Sequence, residues 1–197
     1  MRDTGGGLRM PINSYLFDGT LKYTGGELRS HFALEEFGVE GDSIVAFRGP
    51  CEIEGTNLVD MEEVVKGESI YSPDMLHFIT EIFIPDINRV VLIQRLITGI
   101  IIEQMRVIKG NIKGLHRKGD DIYIGESKLS ISIATVSPVS MLIHHGLNIC
   151  KEGVNFPVTC LEEIGIDNVE LAMLTLKAVE DEYASIERVI RKVKWVK

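Results

Sequence analysis

The stretch Asp121-Ile-Tyr-Ile-Gly-Glu-Ser-Lys128-Leu-Ser-Ile-Ser-Ile-Ala134 alternates apolar and polar residues and breaks that alternation once, at Gly125-Glu126. A period of two marks a strand with unlike faces, and a glycine opening a two-residue interruption suits a tight hairpin turn. With that turn, Ile124 faces Ser127, Tyr123 faces Lys128 and Asp121 faces Ser130. Cross-strand partners share a side, so the spacing predicts a polar front of Asp121, Tyr123, Lys128, Ser130 and Ser132. The oily back is Ile122, Ile124, Leu129, Ile131 and Ile133.

Downstream of the hairpin, Met141 to Ile149 reads as a further strand, followed by a loop through Gly153, Asn155 and Pro157. A helix begins near Asp167, with Ala172, Leu176, Val179, Tyr183, Ile186 and Ile190 spaced alternately by four and three. Such a seam packs a helix onto its own domain; a homodimer contact of coiled-coil type is the alternative. Upstream, Asp86 caps a helix reaching about Ile108, with Gly99 inside it. The apolar run Val90 to Ile102 within it is interrupted by Gln94 and Arg95 and falls short of the roughly 20 residues that span a bilayer. It reads as a buried helix.

Ser72-Pro73-Asp74 offers a capping hydroxyl, a proline at a first helical position and an acid in the first turn, predicting a helix over Met75 to Phe83. Ile44 to Phe47 reads as a strand that turns at Arg48-Gly49-Pro50. An earlier helix follows Tyr23, capped by Thr24, carrying Leu28, Phe32 and Phe37 and closed by Gly38. Helices interleaved with hairpins point to the α+β class, a mixed or antiparallel sheet backed by helices.

At 197 residues the chain suits one domain, placed at residues 10–197 behind a mobile tail at 1–9. A net charge of −8 and a pI near 5.2 argue against a reader of nucleic-acid phosphates. Cys51, Cys150 and Cys160 are odd in number and lack CxxC spacing, which suits small buried thiols in a reducing cytoplasm. No apolar run follows Arg2, so a secretory leader and a membrane association are not expected. His144 and His145, adjacent on a strand, face opposite ways and do not chelate one metal together. Asp60, Glu62 and Glu63 read as a solvated acidic face, and no metal is assigned. Arg95 reads as part of a polar stripe at the solvent edge or as an arginine paired with a carboxylate, not as a ligand contact.

Three ordered segments from about Arg117 to Gly165 resemble the signature of biotin protein ligases. Arg117-Lys118-Gly-Asp-Asp121-Ile-Tyr-Ile-Gly-Glu-Ser-Lys128-Leu is similar to that family's K-W-P-N-D-I with a lysine seven residues after the aspartate. Gly146-Leu-Asn148-Ile resembles its G-I-N-V strand, and Val158-Thr-Cys160-Leu-Glu-Glu-Ile-Gly165 resembles A-T-S-L-x-E-L-G. The whole chain, including Arg29-Ser30-His31 and Ile44 to Pro50, also resembles a small, mostly archaeal family of unknown function with a biotin/lipoate protein ligase-like fold.

The resemblance implies a cavity over the sheet that holds an acyl or carboxylate ligand, handled by an acyltransferase or ligase acting on an activated small carboxylic acid. The alternatives are a non-catalytic ligand-binding member of the fold and a structural homodimer module. Lys128 matches the lysine that contacts the activated carboxyl in the ligases, and that assists a cysteine in octanoyl transferases; Cys150 lies near the latter's place. Arg48, Arg117, Lys118, Asp121, Tyr123, Ser130, His145 and Asn148 are the remaining candidates for ligand contact, with Arg29 and His31 at the cavity mouth. An ammonium 4 Å from a developing oxyanion contributes roughly 4 kcal/mol at an effective dielectric near 20, whereas an exposed Lys128–Asp121 pair contributes about 0–1 kcal/mol. Two departures matter. Ile131 replaces the glycine that follows the ligases' lysine, and Arg48-Gly49-Pro50 before Cys51-Glu52-Ile53-Glu54-Gly55 lacks their phosphate-gripping loop. Those acids repel ATP, and no cofactor is assigned.

Overall fold

The computed structural model describes residues 11–66, 69–152, 157–194 and 196. The tail expected at 1–9 and the loop positions Gly153 and Asn155 lie outside them.

Five strands form the main sheet in the order β1 (Asn13–Thr20), β2 (Ser43–Ile53), β3 (Ile70–Ile82), β8 (Met141–Asn148) and β7 (Ser130–Val136). The β1–β2 pair is parallel and the other pairs are antiparallel. A second sheet joins β4 (Leu115–Lys118), β5 (Asp121–Ile124) and β6 (Ser127–Lys128). Short helices α1 (Phe32–Phe37), α2 (Met61–Lys66) and α4 (Leu161–Ile164) punctuate the chain, and the long ones are α3 (Ile87–Lys109) and α5 (Asn168–Lys192).

Alternation along the strands divides the core in two. Ile44, Ala46, Leu76, Phe78, Ile143 and Leu147 pack with Val90, Ile97, Ile101 and Met105 of α3 and Leu171, Ala172 and Leu176 of α5. Their neighbours Val45, Phe47, Met75 and Ile79 form the opposite face with Tyr23, Phe32, Cys51 and Ile53. The α+β expectation stands, with helices backing a mixed sheet.

Both long helices start where their caps predict. Asp86 accepts from the backbone N–H of Asn88 and of Arg89, each at 3.0 Å, and Asp167 accepts from Glu170 at 2.8 Å. Asp86→Ala is expected to lose about 1 kcal/mol in chemical denaturation, and an unchanged midpoint would mean the cap is idle. The α5 seam packs inward at Ala172, Leu176 and Val179 and runs out to an exposed Ile190.

Two local expectations fail for one reason. Met75 to Phe83 is not a helix: all of it but Phe83 lies in the central strand β3, covered on both faces, where the polar alternation that marks a strand disappears. The chain likewise does not turn at Arg48-Gly49-Pro50, because β2 continues to Ile53. The two strands meet with a register shift, Gly49 opposite Met75 and Cys51 opposite Ser72. Pro50 and Pro73, which lack an N–H, both fall at that irregularity, where the ladder is already broken.

The helix expected from Thr24 is only its last part, α1. The Thr24 N–H instead donates to the Glu27 carboxylate at 2.7 Å, and His31 occupies the position before the helix with φ 66°. Gly38 closes α1 as expected, at φ 70° with its N–H on Leu34 O at 3.0 Å.

Candidate functional site

The hairpin turn forms as the sequence predicts, with Ile124 opposite Ser127, Tyr123 opposite Lys128, and Gly125 at φ 59°. The ribbon does not continue to an Asp121–Ser130 pair. At Leu129, whose N–H still reaches Ile122 O at 2.8 Å, the chain leaves the small sheet, and Ser130 pairs with Leu147 in the main one.

This change of sheet breaks the parity of side chains. Ser130 is buried against the helices, its hydroxyl accepting from Ile122 N–H at 2.9 Å, and Ser132 accepts from Gln94 Nε2 at 2.8 Å. Ile131 turns instead to the open face of the sheet. The uniform polar front is therefore corrected: Lys128 and Asp121 share a surface, and Ser130 does not join them.

That surface belongs to a cleft of about 160 Å³ whose walls include Lys128, Asp121, Asp120, Tyr23, His144 and the side chains of Ile53, Leu58, Ile131 and Ile133. Lys128 Nζ lies 2.8 Å from Asp121 Oδ2. Asp121 Oδ1 is buried and has no hydrogen-bond partner among the described residues. Burial raises the Asp121 pKa, and the hydrogen bond and charge of Lys128 oppose that rise. A carboxylate so placed makes Lys128 less than a free cation.

The turn carrying both acids is braced from α3. Gln94 Nε2 donates to Asp120 Oδ2 at 3.0 Å, Arg95 pairs with Asp120 at 3.2 Å, and Thr98 Oγ1 donates to Asp120 O at 3.2 Å and to Gln94 O at 2.8 Å. Of the two alternatives for Arg95, the carboxylate pair is the one that forms, with Asp120.

A histidine pair forms the cleft's inner wall. His144 stacks on Tyr23 with ring centroids 3.8 Å apart, and its Nε2 is 3.0 Å from His77 Nδ1. His77 Nε2 is 3.1 Å from Gly49 O. Burial lowers the His77 pKa to about 4 and that of His144 well below its usual range. Both rings are neutral near pH 7. Burial also pushes the Tyr23 phenol upward, so its hydroxyl keeps its proton.

Several candidates lie elsewhere. His145 faces α3, not the ligand side: its Nε2 is 3.0 Å from Thr98 Oγ1, and His144 is the histidine that borders the cleft. Arg48 pairs with Asp74 through its Nε at 2.8 Å in a second cleft near the start of α5. Arg117 donates to Gly119 O at 2.8 Å, Lys118 is exposed, and Tyr123 stacks on His116 at 5.7 Å. None of these lines the Lys128 cleft.

Asn148 is engaged structurally, accepting from Ser72 Oγ and donating to Thr159 O, both at 3.2 Å. Arg29 pairs with Glu35 at 2.8 Å, and the exposed His31 packs on Phe83, so neither stands at this cleft's mouth. Partial burial and nearby acids raise the Cys150 thiol, the opposite of what a nucleophile needs. Cys51 and Cys160 are buried as expected. No group of side chains suited to a metal occurs among the described residues, and none of their helices is long and apolar enough to cross a membrane.

Sequence reasoning missed Tyr23, His77, Gln94 and the role of His144. For His77, Gln94 and His144 the only signal is polarity inside otherwise apolar segments, which names neither partner nor face; Tyr23, in the polar run Lys22-Tyr-Thr-Gly25, carries no such signal.

The family match spans residues 12–194, nearly the whole chain, and its description is a domain of unknown function, DUF366. The chain belongs to the DUF366 family. An uncharacterized protein of Methanocaldococcus jannaschii is 35% identical over 179 residues, covering 87% of this chain and 80% of the relative. A solved protein of unknown function from Pyrococcus horikoshi has a TM-score of 0.88 at 38% identity, covering 94% of this chain and 100% of its own.

More distant structures share the fold alone. A T. acidophilum protein with bound lipoic acid gives a TM-score of 0.62 at 13% identity, covering 87% of this chain and 86% of its own. The biotin protein ligase of Aquifex aeolicus, in complex with biotin and ATP, gives 0.58 at 15% identity, covering 89% and 72%. This DUF366 chain therefore has the biotin/lipoate protein ligase fold expected from its sequence.

Proposed function

We propose that the Lys128 cleft binds a small acyl group that arrives already activated, as a thioester or other ester, and that the protein is a cytosolic acyl-handling member of the ligase fold. The observation that carries this reading is Lys128 beside the half-buried Asp121 in a cleft with an apolar wall of Ile53, Leu58, Ile131 and Ile133, whose remaining lining includes the polar Asp120, Ser132 and His144. An ester carbonyl is neutral, so it escapes the repulsion that Asp120 and Asp121 impose on a free carboxylate or a polyphosphate. The Lys128 ammonium then donates to the carbonyl oxygen and stabilises charge that develops there. The ligand-bound state of fold relatives, one with lipoic acid and one with biotin and ATP, supports a small carboxylic acid as the parent ligand.

A thermal-shift comparison of the methyl thioester of octanoic acid, octanoate, biotin, lipoate and ATP tests it. The neutral thioester is expected to stabilise the protein, by about 2.7 kcal/mol at a hundredfold excess over its Kd, and ATP to leave it unmoved. Lys128→Ala is expected to abolish the response. Because that variant strands Asp121, the double variant Lys128→Ala with Asp121→Asn serves as the folded control. Equal stabilisation of the wild type and the folded double variant would sink the reading. The raised Cys150 thiol favours a second reading, ligand binding without a covalent acyl-enzyme, for which Cys150→Ser leaves any turnover unchanged.

A further inference from the structure

The histidine pair at the back of the cleft has only one consistent arrangement of protons. A backbone carbonyl accepts and does not donate, so the Gly49 O contact requires a hydrogen on His77 Nε2. A neutral ring carries one such hydrogen, which leaves His77 Nδ1 as a bare acceptor. The 3.0 Å contact to His144 Nε2 then requires the hydrogen to sit there, and His144 Nδ1 is left with an unshared pair. The ring is fixed in that pose by Tyr23, stacked at an interplanar angle of 11°. It is also confined near Gly146, where an added Cβ would lie 3.2 Å from His144 Cε1 and 2.9 Å from Met75 Cε.

The neighbouring histidine sharpens the contrast. His145 Nδ1 is enclosed by protein with no hydrogen-bond partner among the described residues, whereas the His144 ring borders the cleft. We propose that His144, locked by His77 as the Nε2–H tautomer, presents its Nδ1 lone pair to the cleft, so that the acyl group held there carries an N–H or O–H donor in its chain. The proposal rests on the acyl reading of the Lys128 cleft and adds a requirement on the ligand. The donor belongs well away from the carbonyl. His144 lies opposite Ile133 and Leu147 opposite Ser130, three residues of strand or about 10 Å apart, and Lys128 precedes Ser130. An acyl chain running along Ile131 and Ile133 would end its apolar course at a base that stays uncharged.

Calorimetric titration of the whole chain with three methyl esters decides the matter: octanoate, ω-hydroxyoctanoate and ω-methoxyoctanoate. The hydroxy ester is expected to bind about tenfold more tightly than the methoxy ester, which accepts but cannot donate. In His77→Leu the tautomer is released, and that preference is expected to fall to threefold or less while the plain octanoate ester binds as before.

Nitrogen NMR of the labelled imidazoles in the unliganded wild type gives a readout that needs no variant, with His144 expected to be protonated at Nε2 alone. A proton on Nδ1, or equal binding of hydroxy and methoxy esters, overturns the proposal. If none of the three esters binds, the acyl reading and the donor requirement fall together. If the plain ester binds in a Lys128-dependent way and the hydroxyl confers nothing, only the donor requirement falls.

Discussion

Acidification from about pH 7 to about pH 4.5 is expected to cost the protein most of its stability in one cooperative transition. His77 and His145 titrate near pH 4 in the folded chain, and His144 is pushed lower still, because burial disfavours each imidazolium. In the unfolded chain the same rings take up protons near pH 6.5. A folded pKa below the unfolded one means that the stabilisation is fully present above about pH 6.5. It is lost as the pH falls from there toward about 4.

For His77 and His145 the loss is on the order of 3 kcal/mol each when complete, against a total stability of about 5–15 kcal/mol for a domain. Glu81 and Asp121 act in the opposite sense. Burial raises both, so protonation favours the folded state as the pH drops through their range, and the acid loss is partly offset there. Denaturant melts at half-unit pH steps would show it: stability that is flat or rising between about pH 6.5 and 4.5 would refute the assignment. His77→Gln should flatten the slope by about one proton.

Gly49→Ala is expected to cost about 3 kcal/mol or more, or to prevent folding. An added Cβ at Gly49 would lie 2.0 Å from Leu21 O and 2.7 Å from Leu21 C, both backbone atoms that cannot swing aside. The segment it would displace is tied to β2 by Leu21 N–H to Arg48 O at 2.9 Å and Tyr23 N–H to Pro50 O at 2.8 Å. Moving it would pull Tyr23 from His144 and Gly49 O from His77, so the damage would reach the cleft. Gly99→Ala is the matched control. Nothing lies within 4 Å of its added Cβ, and in a helix interior alanine should stabilise by roughly 0.5–1 kcal/mol. Similar losses at the two positions would show that close approach is not what Gly49 provides.

Much of this architecture is legible in the sequence where the signal is local. Asp86 and Asp167 announce their helices by capping chemistry, and Gly125-Glu126 announces its turn by a break in period two. What failed depends on burial from outside the segment. Met75 to Ile82 reads as helical because a strand covered on both faces keeps no polar alternation, and Ser72-Pro73-Asp74 then mimics a cap.

The site was legible in half. The seven-residue spacing from Asp121 to Lys128 places both on one surface, and the family resemblance singles out the lysine. Ser130 was misassigned because a period of two cannot reveal that the chain changes sheets at Leu129. His145 was preferred over His144 because neighbouring strand positions are equivalent until the covered face is known. Tyr23 and His77 are 54 residues apart in sequence yet meet at 5.2 Å, a distance no local pattern encodes.

The backbone on either side of the Lys128 side chain is held from a third direction. Its N–H donates to Pro157 O and its carbonyl accepts from Thr159 N–H, both at 3.0 Å, in a bridge to Val158 outside the hairpin ladder. The main chain under the ammonium is thus ordered before any ligand arrives. Capture of a ligand need freeze only the lysine's own rotors, a cost of up to about 2 kcal/mol rather than that of a whole loop. Association should accordingly be fast and single-phased, and amide exchange at Lys128 and Thr159 should be slow in the empty protein and scarcely slower in the occupied one.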